Sequence, residues 1–169
     1  MTRSKTSKKS SNSGMKRPLA LLGGLLVVLG VLLSIVMDLF GWWNYSINIS
    51  YSNWINAFGG LNWNNSIENL YSDDSILEMI PGVIAIVGGI LILIRKPGPG
   101  LIGALVVFFS VALFINNLDS FNSLNNFIEV NNGNLYWWTS GNFYCHIGIG
   151  LIITSLGALL GLIGSLTKE

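Results

Sequence analysis

Four stretches of the chain are almost wholly apolar: about 19–41, 76–94, 101–118 and 143–166. A helix needs roughly 20 apolar residues to cross a hydrocarbon core of about 30 Å, and each stretch comes close to or exceeds that length. The polar segments between them are long, short and long: 42–75, 95–100 and 119–142. Residues 1–17 are mostly Ser, Lys and Thr and have little to bury, so they are expected to be a disordered tail. A cleaved signal peptide is the rival reading of the first apolar stretch. Signal cores run about 7–15 residues, however, and this stretch is longer and ends without a small-x-small site. A retained span is the expectation.

The segments between the spans have patterns of their own. Arg95-Lys96-Pro97-Gly98-Pro99-Gly100 predicts a tight turn and an antiparallel helical hairpin. In the first long loop, Tyr45, Ile47, Ile49 and Tyr51 alternate with Ser46, Asn48, Ser50 and Ser52, the period of a half-buried strand. In the second, the runs 127–130 and 135–138 flank Asn131-Asn132-Gly133-Asn134, and Asn-Gly between apolar runs signals a hairpin. A lone hairpin is marginal in water, so the two loops are expected to share one sheet. The predicted fold is a membrane all-α four-helix bundle with a small extracellular antiparallel β-sheet built from both outer loops. The bundle would be one domain over 18–169.

Charge orients this arrangement. Of the nine Lys and Arg residues, six precede the first span, Arg95 and Lys96 occupy the short link, and Lys168 follows the fourth. The long loops carry no base, whereas Asp38, Glu68, Asp73, Asp74, Glu78, Asp119 and Glu129 lie in them or at the adjoining helix ends. Cytoplasmic loops retain Lys and Arg, so both termini are expected inside and both long loops outside, most simply at the plasma membrane. The basic tail abuts a span and is better matched by an anionic inner leaflet than by nucleic acid.

Composition narrows the chemistry. The chain is 51% apolar and only 10% charged, with a mean hydropathy of +0.58. One cysteine and one histidine, the adjacent Cys145 and His146, exclude an intramolecular disulfide and common zinc frameworks. Neighbouring helical residues point to different sectors, so Cys145 and His146 are expected to be a small apolar filler and an interface residue, not a catalytic pair. Asp38 and Glu78 lie near the outer ends of their spans, too shallow for a proton path. No catalytic residue, cofactor site or metal site is assigned.

Three other groups of residues stand out. Gly150, Gly157, Gly161 and Gly164 follow intervals of seven, four and three and share one helical face, a seam for close packing. Its partner is either another span of the same bundle or a second copy. All six tryptophans lie in the outer loops or at their edges. Trp42, Trp43, Trp137 and Trp138 suit an interfacial belt, while Trp54 and Trp63 are expected to pack the outer fold. Asn44, Asn48 and Asn64 each begin an Asn-x-Ser triplet, so they are candidate glycosylation sites.

Trp42 or Trp43, followed by Gly60-Leu61-Asn62-Trp63, resembles the claudin-like tetraspan proteins. In that family the first outer loop carries a tryptophan, then Gly-Leu-Trp and two cysteines. Here one residue is inserted in the second element and the cysteine pair is absent. The resemblance implies an antiparallel extracellular sheet over a left-handed four-helix bundle, and a role in contact or assembly. Barrier or pore function does not carry over, because the residues that govern it cannot be placed.

The functional expectation is a non-enzymatic structural or interaction protein, with a protein partner or a homo-oligomer in addition to the lipid bilayer. Its contact residues would come from Trp54, Leu61, Trp63, Tyr136, Trp137 and Trp138. The alternative is a small transporter or channel, or an accessory subunit of a larger membrane complex.

Overall fold

A computed structural model describes residues 18–48, 51–58, 76–94, 96–118, 137–140 and 143–167. Four helices run through these residues: α1 Pro18–Val36, α2 Ile76–Leu93, α3 Pro97–Leu118 and α4 Ile149–Leu166. Four strands accompany them: β1 Trp43–Asn48, β2 Tyr51–Ile55, β3 Trp137–Ser140 and β4 Phe143–Ile147. Consecutive helices run antiparallel around a square, and α4 closes it against α1. Three of the helices (α1, α3 and α4) are long and apolar enough to cross a membrane, and α2 is apolar over Met79–Leu93.

Small residues line the closest helix contacts, and many of the large apolar residues face outward. Gly23, Gly24, Gly30 and Ala20 of α1 are buried, whereas Leu22, Leu25, Leu29 and Leu32 are exposed. The other three helices repeat the division, with exposed Val83 and Ile90, Ile102 and Phe109, and Ile152 and Leu156. Bare backbone on one helix lets the next approach closely, which yields dispersion contacts that lipid does not supply. A Cβ on Gly157 would stand 2.7 Å from the Gly23 carbonyl oxygen and the Val27 nitrogen. One on Gly88 would stand 2.7 Å from the Gly103 carbonyl oxygen, so the α2–α3 pair uses the same device. Buried hydroxyls fold back onto helix carbonyls: Thr154 Oγ1 donates to Gly150 at 2.8 Å and Ser165 Oγ to Gly161 at 2.7 Å.

Several boundaries differ from the sequence expectation. The predicted turn at Pro97-Gly98-Pro99-Gly100 is instead the first turn of α3, with the Gly100 amide donating to the Lys96 carbonyl at 2.9 Å. First-turn amides lack an intrahelical acceptor, so proline loses nothing there. The first span, expected over 19–41, ends at Val36 and passes into a 3-10 turn at Asp38–Phe40. The fourth, expected over 143–166, divides into β4 and α4 at Gly148. Phe143, Tyr144, Cys145, His146 and Ile147 are apolar enough to continue a span, but their aromatic and β-branched content suits a pleated surface equally well. Tyr45–Tyr51 is not one strand: β1 and β2 pair antiparallel across it, with a register shift between Ser46 and Asn48. Alternation persists in both arms of a tight hairpin, so the period alone could not reveal the reversal.

Candidate interaction surface

The four strands form one antiparallel sheet in the order β2-β1-β4-β3. Strands of the first long segment therefore pair directly with strands of the second, through Trp43↔Ile147, Asn44↔His146, Tyr45↔Cys145 and Ser46↔Tyr144. In the second pair of strands, β3 and β4, Ser140 stands opposite Phe143. The turn expected at Asn132-Gly133 and the first arm, 127–130, lie outside the described residues; of the second arm, 135–138, Trp137 and Trp138 are described, and they pair with β4. Gly-Asn between Trp137-Trp138-Thr139-Ser140 and the aromatic Phe143-Tyr144 is the signal that could have located the observed pair.

The sheet is held to the bundle through its alternate residues. Ile55, Trp43, Ile147 and Cys145 join Trp42, Val31, Phe114 and Leu151 in one apolar cluster at the mouth of the bundle. Trp42 meets Phe114 edge-on, with ring centroids 5.0 Å apart, a favoured aromatic geometry. Backbone bonds lock the junction: Trp42 N donates to Ile55 O at 2.8 Å and Gly148 N to Trp42 O at 2.9 Å. The Ser34 hydroxyl donates to Val31 O at 2.6 Å and accepts the Ala57 amide at 3.1 Å, which ties the segment after β2 to α1. One cost remains at this junction. Trp42 is 0% exposed, and its indole Nε1–H has no hydrogen-bond partner among the described residues.

Register divides the expected contact residues into two rows. Trp54, Asn44, His146 and Trp137 align across all four strands, in the row alternate to the buried one. Trp138 aligns with Cys145 and Tyr45, in the row whose Cys145 is buried. Leu61, Trp63 and Tyr136 lie outside the described residues, as does Asn64. Asn44 and Asn48 are both in β1, which has strands on both sides, and Asn44 is half-buried. His146 is also half-buried, with Nδ1 3.0 Å from the Ile147 carbonyl oxygen. Sequence reasoning missed His146 as a member of this row because it placed the residue on a helix.

The four glycines of α4 face the same chain. Gly157 meets α1 at Gly23 and Val27, Gly164 meets Ala20, Gly150 approaches Gly30 and Phe40, and Gly161 meets Ile92 of α2. The seam is thus filled within the bundle, complemented by Gly23 and Gly30 of α1, whose seven-residue spacing was visible in the sequence.

The interior offers little chemistry. Among the described residues the buried polar side chains are Ser34, Ser110, Thr154 and Ser165, and all four hydroxyls donate to backbone carbonyls. No group of three His, Cys, Asp or Glu residues that could hold a metal occurs among the described residues. A groove of about 380 Å³ lies between α3 and α4, walled by apolar residues such as Phe108, Val111, Ile115, Leu151 and Leu156. No protein-family model matches the chain, and comparison with curated proteins gives no match either.

Proposed function

We propose that the chain is a non-enzymatic integral membrane protein of structural or interaction type, whose sheet mediates contact or assembly with a partner. The observation that carries this reading is one sheet spanning both long loops, seated on a bundle whose helices approach through small residues and expose many large apolar ones. Monomeric soluble proteins rarely present a contiguous apolar surface of that extent, whereas a bilayer covers it without cost. The bundle sits with both termini on the cytoplasmic side and the sheet outside, at the plasma membrane, because the bases lie at one end and the long loops carry none. The shared sheet and the Gly60-Leu61-Asn62-Trp63 segment support a claudin-like tetraspan relationship.

The interior argues for contact over catalysis or transport. Catalysis requires converging acid, base, nucleophile or metal groups, and the described buried hydroxyls are all taken up by helix carbonyls, three on their own helix and Ser110 across to Pro81 of α2. The row Trp54-Asn44-His146-Trp137 crosses the whole sheet and is the surface assigned to the partner. Affinity capture from gently solubilised membranes tests the reading. A stoichiometric partner or homo-oligomer is expected, weakened by Trp54→Ala or Trp137→Ala. Recovery of a clean monomer without partners contradicts it.

A further inference from the structure

Neighbouring helices of the bundle do not all meet in the same way. Glycines bring α1 to α4 at Gly157, α2 to α3 at Gly88, and α1 to α2 at Gly24 and Gly89. For α3 and α4 the matching close contact is Gly100 with Ser165, at the end far from the sheet. Towards the sheet this pair is lined by larger side chains, and the groove of about 380 Å³ lies between them. That volume falls within the roughly 300–1,000 Å³ of small-molecule sites. Its walls include Phe108, Val111 and Ile115 of α3 and Leu151, Ser155 and Leu159 of α4. Leu159 is exposed, as are Ile152 and Leu156 of the same lining, so the groove reaches the molecular surface. Ser155 is the one polar residue in that lining, and its hydroxyl donates to Leu151 O at 2.8 Å.

Shape, depth and charge choose the occupant. Helices dock in lipid through small residues that admit close backbone approach, as Gly157 and Gly23 do here. Apart from Ser155 the groove walls are large or branched, which suits a thin flexible chain and not another helix. Residues 108–115 and 151–159 lie in the halves of α3 and α4 nearer the sheet. They rise about 10 and 12 Å, close to half of a hydrocarbon core of about 30 Å, so the groove has the length of one leaflet. At its sheet end Ile115 is followed by the exposed Asn116, whose amide is a donor for ester or phosphate oxygens. Lys96 is the one Lys or Arg among the described residues and lies at the opposite end. A fatty acid's lone carboxylate would find no such base at the mouth, whereas a zwitterionic headgroup carries its own countercharge. We propose that this groove holds one acyl chain of a zwitterionic phospholipid from the sheet-side leaflet. The inference rests on the membrane placement proposed above.

The test uses the full chain in phosphatidylcholine vesicles that contain phosphatidylcholine with a diazirine on one acyl chain. After irradiation, mass spectrometry locates the labelled residues. Labelling within 108–115 and 151–159 should exceed that at exposed residues elsewhere, such as Leu29 and Ile90, several-fold. A diazirine near the ester should favour Ile115 and Ile147, and one near the chain terminus should favour Phe108 and Leu159. Ser155→Phe and, at an exposed position, Leu156→Trp each put a ring into the groove. Both should lower its labelling to the level of the other faces, with helical circular dichroism unchanged. A diazirine fatty acid at the same mole fraction should show no enrichment. Even labelling of every exposed face overturns the proposal and leaves the membrane reading intact. A reversed depth order, enrichment of the fatty acid, or enrichment that survives both ring substitutions overturns it too. So do disulfide-linked dimers of Leu156→Cys with the groove unlabelled, which would give the groove to a second copy of the chain. Failure of the chain to float with vesicles overturns the membrane reading itself, and the lipid site with it.

Discussion

At the scale of single residues, two positions decide how tightly the molecule closes. Gly157 has no space for even a methyl group, since Gly23 O and Val27 N lie 2.7 Å from where a Cβ would stand. Both neighbours are backbone and cannot rotate aside, so Gly157→Ala must push α1 and α4 apart. Overpacking of this kind costs about 1–3 kcal/mol. Leu159→Ala, on a side chain that is 44% exposed, should cost less than about 0.5 kcal/mol. Melting in detergent checks the pair, and equal tolerance of both changes would show that the glycines are not a seam. Trp42 gives the converse case. Trp42→Ala should cost about 3–5 kcal/mol, since it empties a fully buried site against Phe114. Trp42→Phe keeps a ring there and removes an unpaired buried N–H, a group that costs roughly 1–3 kcal/mol. Its melting temperature should therefore lie much nearer to wild type than to Trp42→Ala. Equal losses would contradict this, since a retained ring at a site that loses only an unpaired N–H should recover most of the packing.

At the scale of elements, the pairing of β1 with β4 is the link between the two long segments. Ser46 and Tyr144 are register partners, and directly opposed residues in an antiparallel pair have Cβ atoms about 4.5–5.5 Å apart. The double variant Ser46→Cys with Tyr144→Cys should cross-link under mild oxidation. Cysteines at Ser46 and Ser140, on strands that are not neighbours, should not. Efficient cross-linking of the second pair in place of the first would contradict the strand order. Much of this level was legible in the sequence. Long apolar runs located the helices because a span must be apolar on every face, and period-two alternation at Tyr45 to Tyr51 indicated a sheet. The boundaries were not legible where one residue set serves two structures. Phe143 to Ile147 satisfies both a span and a strand, and only pairing with β1 and β3 decides between them. Pro97 to Gly100 reads as a turn by composition, yet first-turn geometry tolerates it within α3. The row Trp54-Asn44-His146-Trp137 depends on register across four strands, which no local pattern encodes.

At the scale of the whole molecule, the bundle has unlike ends. One end bears the four-stranded sheet, and the other carries the exposed Lys96 between α2 and α3. The contact role requires these ends to lie on opposite sides of a membrane. Single cysteines at Ser72, Ser123 and Ser10 report on that arrangement in intact cells exposed to a membrane-impermeant maleimide. The native Cys145 is buried, which keeps the unmodified chain as a low background. Labelling of the Ser72→Cys and Ser123→Cys variants, with Ser10→Cys protected until the cells are permeabilised, is the predicted result. Labelling of Ser10→Cys alone would invert the orientation, and labelling of all three in intact cells would contradict a bundle that spans the membrane.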